Sequence, residues 1–220
     1  MHIDIYSDTI CPWCYIGKKR LDRALQERPQ EGLTLRWRAF QLNPDMPEEG
    51  MDRQRYLEVK FGGRENAKAV YDRVREAGEM EQIPFAFDAI PRTPNTVTSH
   101  RLIRYASQQE AADDAVEGVV TALFEAYFLR GEDIGDLEVL SAAAAAGGLD
   151  ADKARAFLES DAEADNIRAE DAHARHIGIQ GVPTFILDNK YVLSGAHPPE
   201  VLFQFFDLAK HGEPATEESV

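Results

Sequence analysis

Cys11-Pro12-Trp13-Cys14 follows the apolar run Ile3, Ile5, Tyr6 and opens a stretch whose periodicity predicts a helix through about Arg28. Two cysteines in 220 residues, three positions apart at a strand-to-helix junction, mark a redox pair. At the helix N-terminus, unpaired backbone N–H groups and the positive end of the macrodipole favour a thiolate on Cys11. Pro12 suits the first helical position because it has no N–H to leave unpaired there. Cys14, one turn on, is placed to attack a mixed disulfide at Cys11, so Cys11 reads as nucleophile and Cys14 as resolving thiol. Two other readings of the pair exist. A buried structural pair would lack the preceding strand and the Pro-aromatic spacer. Half of a zinc site would need a second half, and His173 with His176 is too closely spaced to supply it, so no metal is expected.

Outward from this motif, the 44% apolar content is enough to bury a core without disulfide staples. The opening residues Met1-His2-Ile3-Asp4 enter a strand directly, and no apolar run reaches membrane-spanning length. A cytoplasmic location is therefore expected, where a lone close-spaced pair is more often catalytic than structural. The 39 acidic against 24 basic residues give a net charge of -15, which argues against a nucleic-acid or anionic-membrane partner.

Residues 2 to 7 read as a strand, Pro12 to Arg28 as a helix and 33 to 40 as a second strand, a unit whose crossover should be right-handed and parallel. From about Arg53 to Leu158 the periodicity is helical, broken at Gly62-Gly63 and between Ile83 and Pro94. Its strongest segment carries Val116, Val119, Val120, Leu123, Phe124, Tyr127 and Phe128, spaced as one apolar stripe. Asp161 to Ile177 predicts another helix. Gly181-Val182-Pro183-Thr184 then leads into a hairpin turning at Asp188-Asn189, and a last helix starts at Pro198-Pro199. Residues 211 to 220 read as a frayed acidic tail.

Strand, redox helix, strand, then helix, Val-Pro turn, hairpin and closing helix is the element order of an α/β thioredoxin fold. Here it carries a large inserted α-helical domain. Residues 1–45 and 160–220 make the thioredoxin-like part, and 46–159 the insertion. The chain resembles the DsbA family of thiol-disulfide oxidoreductases, and within it the FrnE-like branch. The likeness rests on Cys11-Pro12-Trp13-Cys14-Tyr15-Ile16-Gly17, Pro94-Asn95-Thr96 with His100-Arg101, Gly181-Val182-Pro183-Thr184-Phe185 and Ser194-Gly195-Ala196.

The resemblance implies a cis Val182-Pro183 bond facing the redox pair, with the Val182 backbone available to an extended substrate beside Cys11. An ordinary trans proline at an edge strand is the competing reading. Trp13 replaces the histidine that DsbA carries in its motif. An indole supplies no positive charge, so a less oxidising couple is implied, and Pro12 and Trp13 offer substrate an apolar platform unless Trp13 simply packs at the helix start. Asp4 is expected to relay the proton of the second thiol, or else to pair with a neighbouring cation.

Asn95 is either a helix cap or a substrate contact, because the same pattern resembles kappa-class glutathione transferases and 2-hydroxychromene-2-carboxylate isomerases. Those enzymes have serine where Cys11 stands. Retaining both sulfurs favours dithiol exchange, with protein or small-molecule thiols and disulfides as substrates and glutathione as a candidate co-substrate. A glutathione-dependent transferase or isomerase and a non-enzymatic chaperone-like binder are the alternatives. No cofactor beyond the cysteine pair is implied. FrnE-like proteins with extra cysteines can relay electrons internally, and this chain has only one pair, so an external oxidant or reductant is expected. A homodimer is compatible with the apolar pattern without being dictated by it.

Overall fold

Apolar alternation over the first residues forms β1 (His2–Ser7), followed by α1 (Pro12–Glu27) and β2 (Thr34–Ala39) in a computed structural model that describes residues 1–109 and 112–212. The chain then leaves the sheet through β3 (Met51–Asp52), α2 (Arg53–Phe61), α3 (Arg64–Met80), a 3-10 turn at Phe87–Ala89 and β4 (Arg92–Thr93). Four more helices follow: α4 (Val97–Ser107), α5 (Ala112–Arg130), α6 (Leu137–Ala146) and α7 (Ala151–Leu158). It returns with α8 (Ala164–His176), the hairpin β5 (Thr184–Leu187) and β6 (Tyr191–Ser194), and α9 (Pro199–His211). From 213 onward the expected acidic tail lies outside the described residues.

The main sheet has the order β2-β1-β5-β6, with β1 parallel to β2 and antiparallel to β5. This is the thioredoxin arrangement with a helical insertion. Asp188 and Asn189 both take positive φ (48° and 57°), the left-handed backbone that a tight hairpin turn needs and that Asp and Asn tolerate. Pleating divides β1 into two faces. Ile3 and Ile5 pack with Leu21 of α1, Phe185 and Leu187 of β5, and Leu202 and Phe206 of α9. Tyr6, on the opposite face, packs with Phe40, Ala174 of α8 and Ile179.

Three features differ from the sequence reading. The helix expected from Asp161 begins at Ala164, because Glu163 takes a left-handed φ of 65° and interrupts it. The inserted segment holds a two-stranded ribbon, β3 with β4, whose two-residue strands are too short to show alternation. And α5 is buried on nearly every side, since Ala115, Ala122 and Ala126 fill the gaps between the large residues of the expected stripe. Its core is continuous with α1. Cys11, Cys14, Tyr15 and Ile16 share one apolar cluster with Val119, Leu123, Phe124 and Phe128.

Two buried cations fix these helices to their surroundings. Lys18 of α1, 5% exposed, reaches Asp22 and Glu117 at 2.9 Å each. Burial alone would lower its pKa, but the two carboxylates overcome that and hold it raised. Glu117 also accepts the Trp37 indole N–H at 2.6 Å, so one α5 residue ties α1 to β2. Arg101 of α4 donates to the carbonyls of Phe157 (3.1 Å), Leu158 (3.2 Å), Ser160 (2.5 Å) and Ala162 (2.6 Å), closing the C-terminal end of α7. Among the described residues no helix is long and apolar enough to cross a membrane.

Truncating Arg101 to alanine orphans four carbonyls at once. The expected cost is about 2–3 kcal/mol in urea denaturation, with Arg101→Lys recovering less than half because an ammonium lacks the planar fork. A loss within about 0.5 kcal/mol for Arg101→Ala would mean that water serves those carbonyls equally well.

Candidate active site

Cys11 is the N-cap of α1, with extended backbone (φ -92°, ψ 113°), and its N–H donates to Asp8 O at 3.0 Å. No side chain caps the first turn, and the Cys14 and Tyr15 N–H groups donate to the Cys11 carbonyl at 3.0 and 3.4 Å. Pro12 occupies the first helical position, as its missing N–H predicts. Both cysteines are buried thiols, 4% exposed at Cys11 and 1% at Cys14. Trp13 between them points outward at 36% exposed, among the largest apolar side chains on the surface.

Facing them is the Val182-Pro183 loop, whose peptide bond is cis. The Cys11 thiol donates to Val182 O at 3.5 Å. The loop is tied down from behind. Gly195 N–H donates to Pro183 O at 2.7 Å, and the Thr184 hydroxyl donates to Gly181 O at 2.8 Å. These bonds give a physical reason for the Gly-Val-Pro-Thr and Ser-Gly-Ala stretches. Gly17 completes the contact from the helix side, where a Cβ would stand 2.9 Å from Pro183 Cγ. Tyr15 anchors the other side of α1, stacked on Phe124 (centroids 5.1 Å apart) and edge-on to Phe85 (6.1 Å). Each such ring pair contributes about 1 kcal/mol beyond area burial.

Burial pushes the Cys14 thiol well above the ordinary thiol range, and its hydrogen bond with Cys11 and the nearby Cys11 charge add to the rise. The polar groups of Ser7 and the Asp8 backbone near this sulfur oppose it. The two sulfurs are therefore unequal, one at a helix end beside the cis-proline loop and the other held as a thiol in the core.

Asp4 is not brought to the thiols. It sits directly across from Arg36 in the parallel register and bonds Arg36 at 3.0 Å and Arg38 at 2.8 Å. The pleat decides this, because Ser7 shares the α1 face with Ile3 and Ile5, whereas Asp4 shares the α8 face with Tyr6. Ser7, unnoticed in the sequence, lies on the face of β1 shared with Ile3 and Ile5 and is among the groups that act on Cys14. Asn95 is likewise engaged internally, donating to Met46 O at 2.6 Å and accepting the Val97 N–H at 2.9 Å, so it braces the start of α4. His173 and His176 are exposed on α8, and His197 Nε2 lies 2.9 Å from Ser194 O. Among the described residues, no three His, Cys, Asp or Glu side chains gather as metal ligands.

A family model described as a DSBA-like thioredoxin domain matches residues 2–207. A solved structure described as a "probable DsbA oxidoreductase" of Streptomyces coelicolor is 31% identical, covering 100% of this chain and 94% of that one with a TM-score of 0.83. A 2-hydroxychromene-2-carboxylate isomerase (23% identical, 96% and 95% covered, TM-score 0.68) shares the fold. So does the cytosolic disulfide reductase DsbM of Pseudomonas aeruginosa, solved with GSH (17% identical, 96% and 99% covered, TM-score 0.67).

Alanine at position 17 should gain about 1 kcal/mol of helix propensity yet lose more by overlapping a proline ring that cannot swing aside. Gly17→Ala is expected to be less stable by about 1–2 kcal/mol in urea denaturation, whereas a gain would show that α1 and the loop part freely. The Cys14 shift has its own signature. An unfolded thiol ionises near about pH 8.5 while the folded Cys14 stays protonated, so stability is full below that range and falls as pH rises through it. Urea midpoints of the reduced protein should drop between pH 7.5 and 9.5 on the order of 1 kcal/mol more than those of Cys14→Ala. Parallel curves would contradict the assignment.

Proposed function

The chain belongs to the DSBA-like thioredoxin family, and on that premise we propose that it is a thiol-disulfide oxidoreductase working through Cys11 and Cys14. The observation that carries this reading is the asymmetry of the two sulfurs. Cys11 stands at an uncapped helix N-terminus, 3.5 Å from the carbonyl of the cis-proline loop, and Cys14 is buried one turn behind it. In the reductive direction the Cys11 thiolate attacks one sulfur of a substrate disulfide, forming a mixed disulfide and expelling the other sulfur as a thiolate. Cys14 then loses its proton and attacks the Cys11 sulfur. The Cys11–Cys14 disulfide forms, the mixed disulfide breaks, and the substrate leaves as a dithiol. Oxidation of a substrate dithiol is the reverse sequence, and the direction follows the couple's potential against its surroundings.

Trp13, 36% exposed beside Pro12, offers an apolar face, and the Val182 backbone a pairing edge, to an extended chain or a small disulfide. Regeneration requires an external thiol or disulfide, for which glutathione is the candidate. A cytoplasmic location goes with this reading, in keeping with a lone close-spaced pair. The presence of both sulfurs supports dithiol exchange over a glutathione-dependent isomerase.

Trapping distinguishes the roles of the cysteines. With glutathione disulfide, Cys14→Ser should accumulate a mixed disulfide mapped by mass spectrometry to Cys11. Cys11→Ser should form an adduct at least about a hundredfold more slowly, because its remaining thiol is buried and held protonated. Equal labelling of the two variants would contradict the assignment.

A further inference from the structure

Arg20 follows Gly17 by one turn of α1, so both lie on the face that meets the cis-proline loop. Its side chain is 11% exposed and reaches two ways. Nε donates to Glu81 Oε1 at 2.7 Å, and Nη1 donates to Ala196 O at 2.7 Å. Glu81, at the C-terminal end of α3, has a side chain only 4% exposed, and its other oxygen takes Arg23 Nη1 at 3.0 Å. One carboxylate of the inserted segment is thus shared by two arginines of α1. It fixes the plane of the Arg20 guanidinium, and that rigid fork holds the second donor on Ala196.

Ala196 lies in the short loop after β6, which is folded on itself. The His197 N–H donates to Gly195 O at 3.1 Å, and Gly195 takes a φ of 99°, a backbone that favours glycine. From that loop the Gly195 N–H donates to Pro183 O at 2.7 Å. The bonds therefore run without a gap from Glu81 through Arg20 to the loop after β6, and from there to the cis-proline. On the other side of Pro183, Val182 O accepts the Cys11 thiol at 3.5 Å. Among the described residues the Val182 N–H has no partner within the molecule. Val182 is only partly buried, and a Cβ at Gly181 would meet no atom within 4 Å, so a chain has room to approach. The Val182 edge is open in front and held from behind by α1, at Gly17 and at Arg20.

The two classes of disulfide substrate need this arrangement unequally. A small disulfide needs only the Cys11 sulfur. An extended chain must also pair with the Val182 backbone, and such bonds weaken steeply once distance or angle departs from the ideal. We propose that Arg20, locked by Glu81, is a positioning residue that holds the Val182 edge in register with Cys11, and so biases the site toward extended polypeptide disulfides over small ones. The proposal rests on the dithiol reading above. It gives the inserted segment a part in substrate choice through one buried carboxylate, although Glu81 touches neither sulfur nor substrate.

Stopped-flow reaction of the reduced protein with two probes tests this. One is an unstructured peptide closed by a single disulfide, followed by Trp13 fluorescence, and the other is a small aromatic disulfide that releases a coloured thiol. The quantity read is the ratio of the second-order rate constants, peptide over small disulfide. In Arg20→Gln this ratio should fall by about tenfold, the loss appearing in the peptide concentration that gives half the maximal rate. Glu81→Gln, which keeps an acceptor for Arg20 but removes the charge that locks it, should lower the ratio by about threefold and decides the matter should Arg20→Gln not fold. General loosening of the structure would slow both probes alike and leave the ratio where it was. A ratio unchanged in the variants that fold would overturn the proposal. Failure of the dithiol reading looks different, because the unsubstituted protein would then release a single equivalent of coloured thiol and keep a stable adduct.

Discussion

Between Gly17 of α1 and the ring of Pro183 there is no room for one more carbon, since a Cβ at position 17 would sit 2.9 Å from Pro183 Cγ. Helix α1 and the cis-proline loop are therefore pressed together, and the Cys11 thiol reaches Val182 O as a result. The rest of the molecule maintains that approach. Lys18 is pinned to Glu117 of α5, Tyr15 is stacked on Phe124, and Arg20 donates to Ala196 O at 2.7 Å and to Glu81 at 2.7 Å. The inserted helices thus form one wall of the site, holding α1 on the side away from the loop.

A single helical turn separates two sulfurs with different surroundings. Both belong to the main apolar cluster, but Cys11 sits at a helix end with no side-chain cap and reaches Val182 O, while Cys14 is one turn deeper and 1% exposed. Low dielectric disfavours the Cys14 thiolate, which in the proposed exchange leaves attack on substrate to Cys11. Ser7 and His100 line one pocket beside β2.

Much of this was legible in the sequence because it rests on local rules. Alternation in residues 2 to 7, Pro12 at the first helical position and Asp188-Asn189 in the turn each have one cheap backbone solution, and the structure adopts it. The Gly-Val-Pro-Thr stretch pointed to the loop facing the pair. What escaped depends on contacts across long sequence separations. Asp4 has the right chemistry for a relay but the wrong parity, and Arg36 and Arg38 on the next strand claim it. Asn95 looked available for substrate until Met46 O was found bonded to it across 49 positions. Glycine at position 17 carries no signal until its neighbour is known. His100 and Asp8 lie 92 positions apart, and no local pattern joins them.

In the proposed chemistry Cys11 and Cys14 form one two-electron couple. Titrating the protein against defined glutathione buffers, with Trp13 fluorescence and thiol alkylation as independent readouts, tests it most directly. A single two-electron transition with coincident midpoints is expected, ending in an internal Cys11–Cys14 disulfide. A stable glutathione adduct on Cys11, with no internal disulfide at any ratio of the buffer, would contradict it.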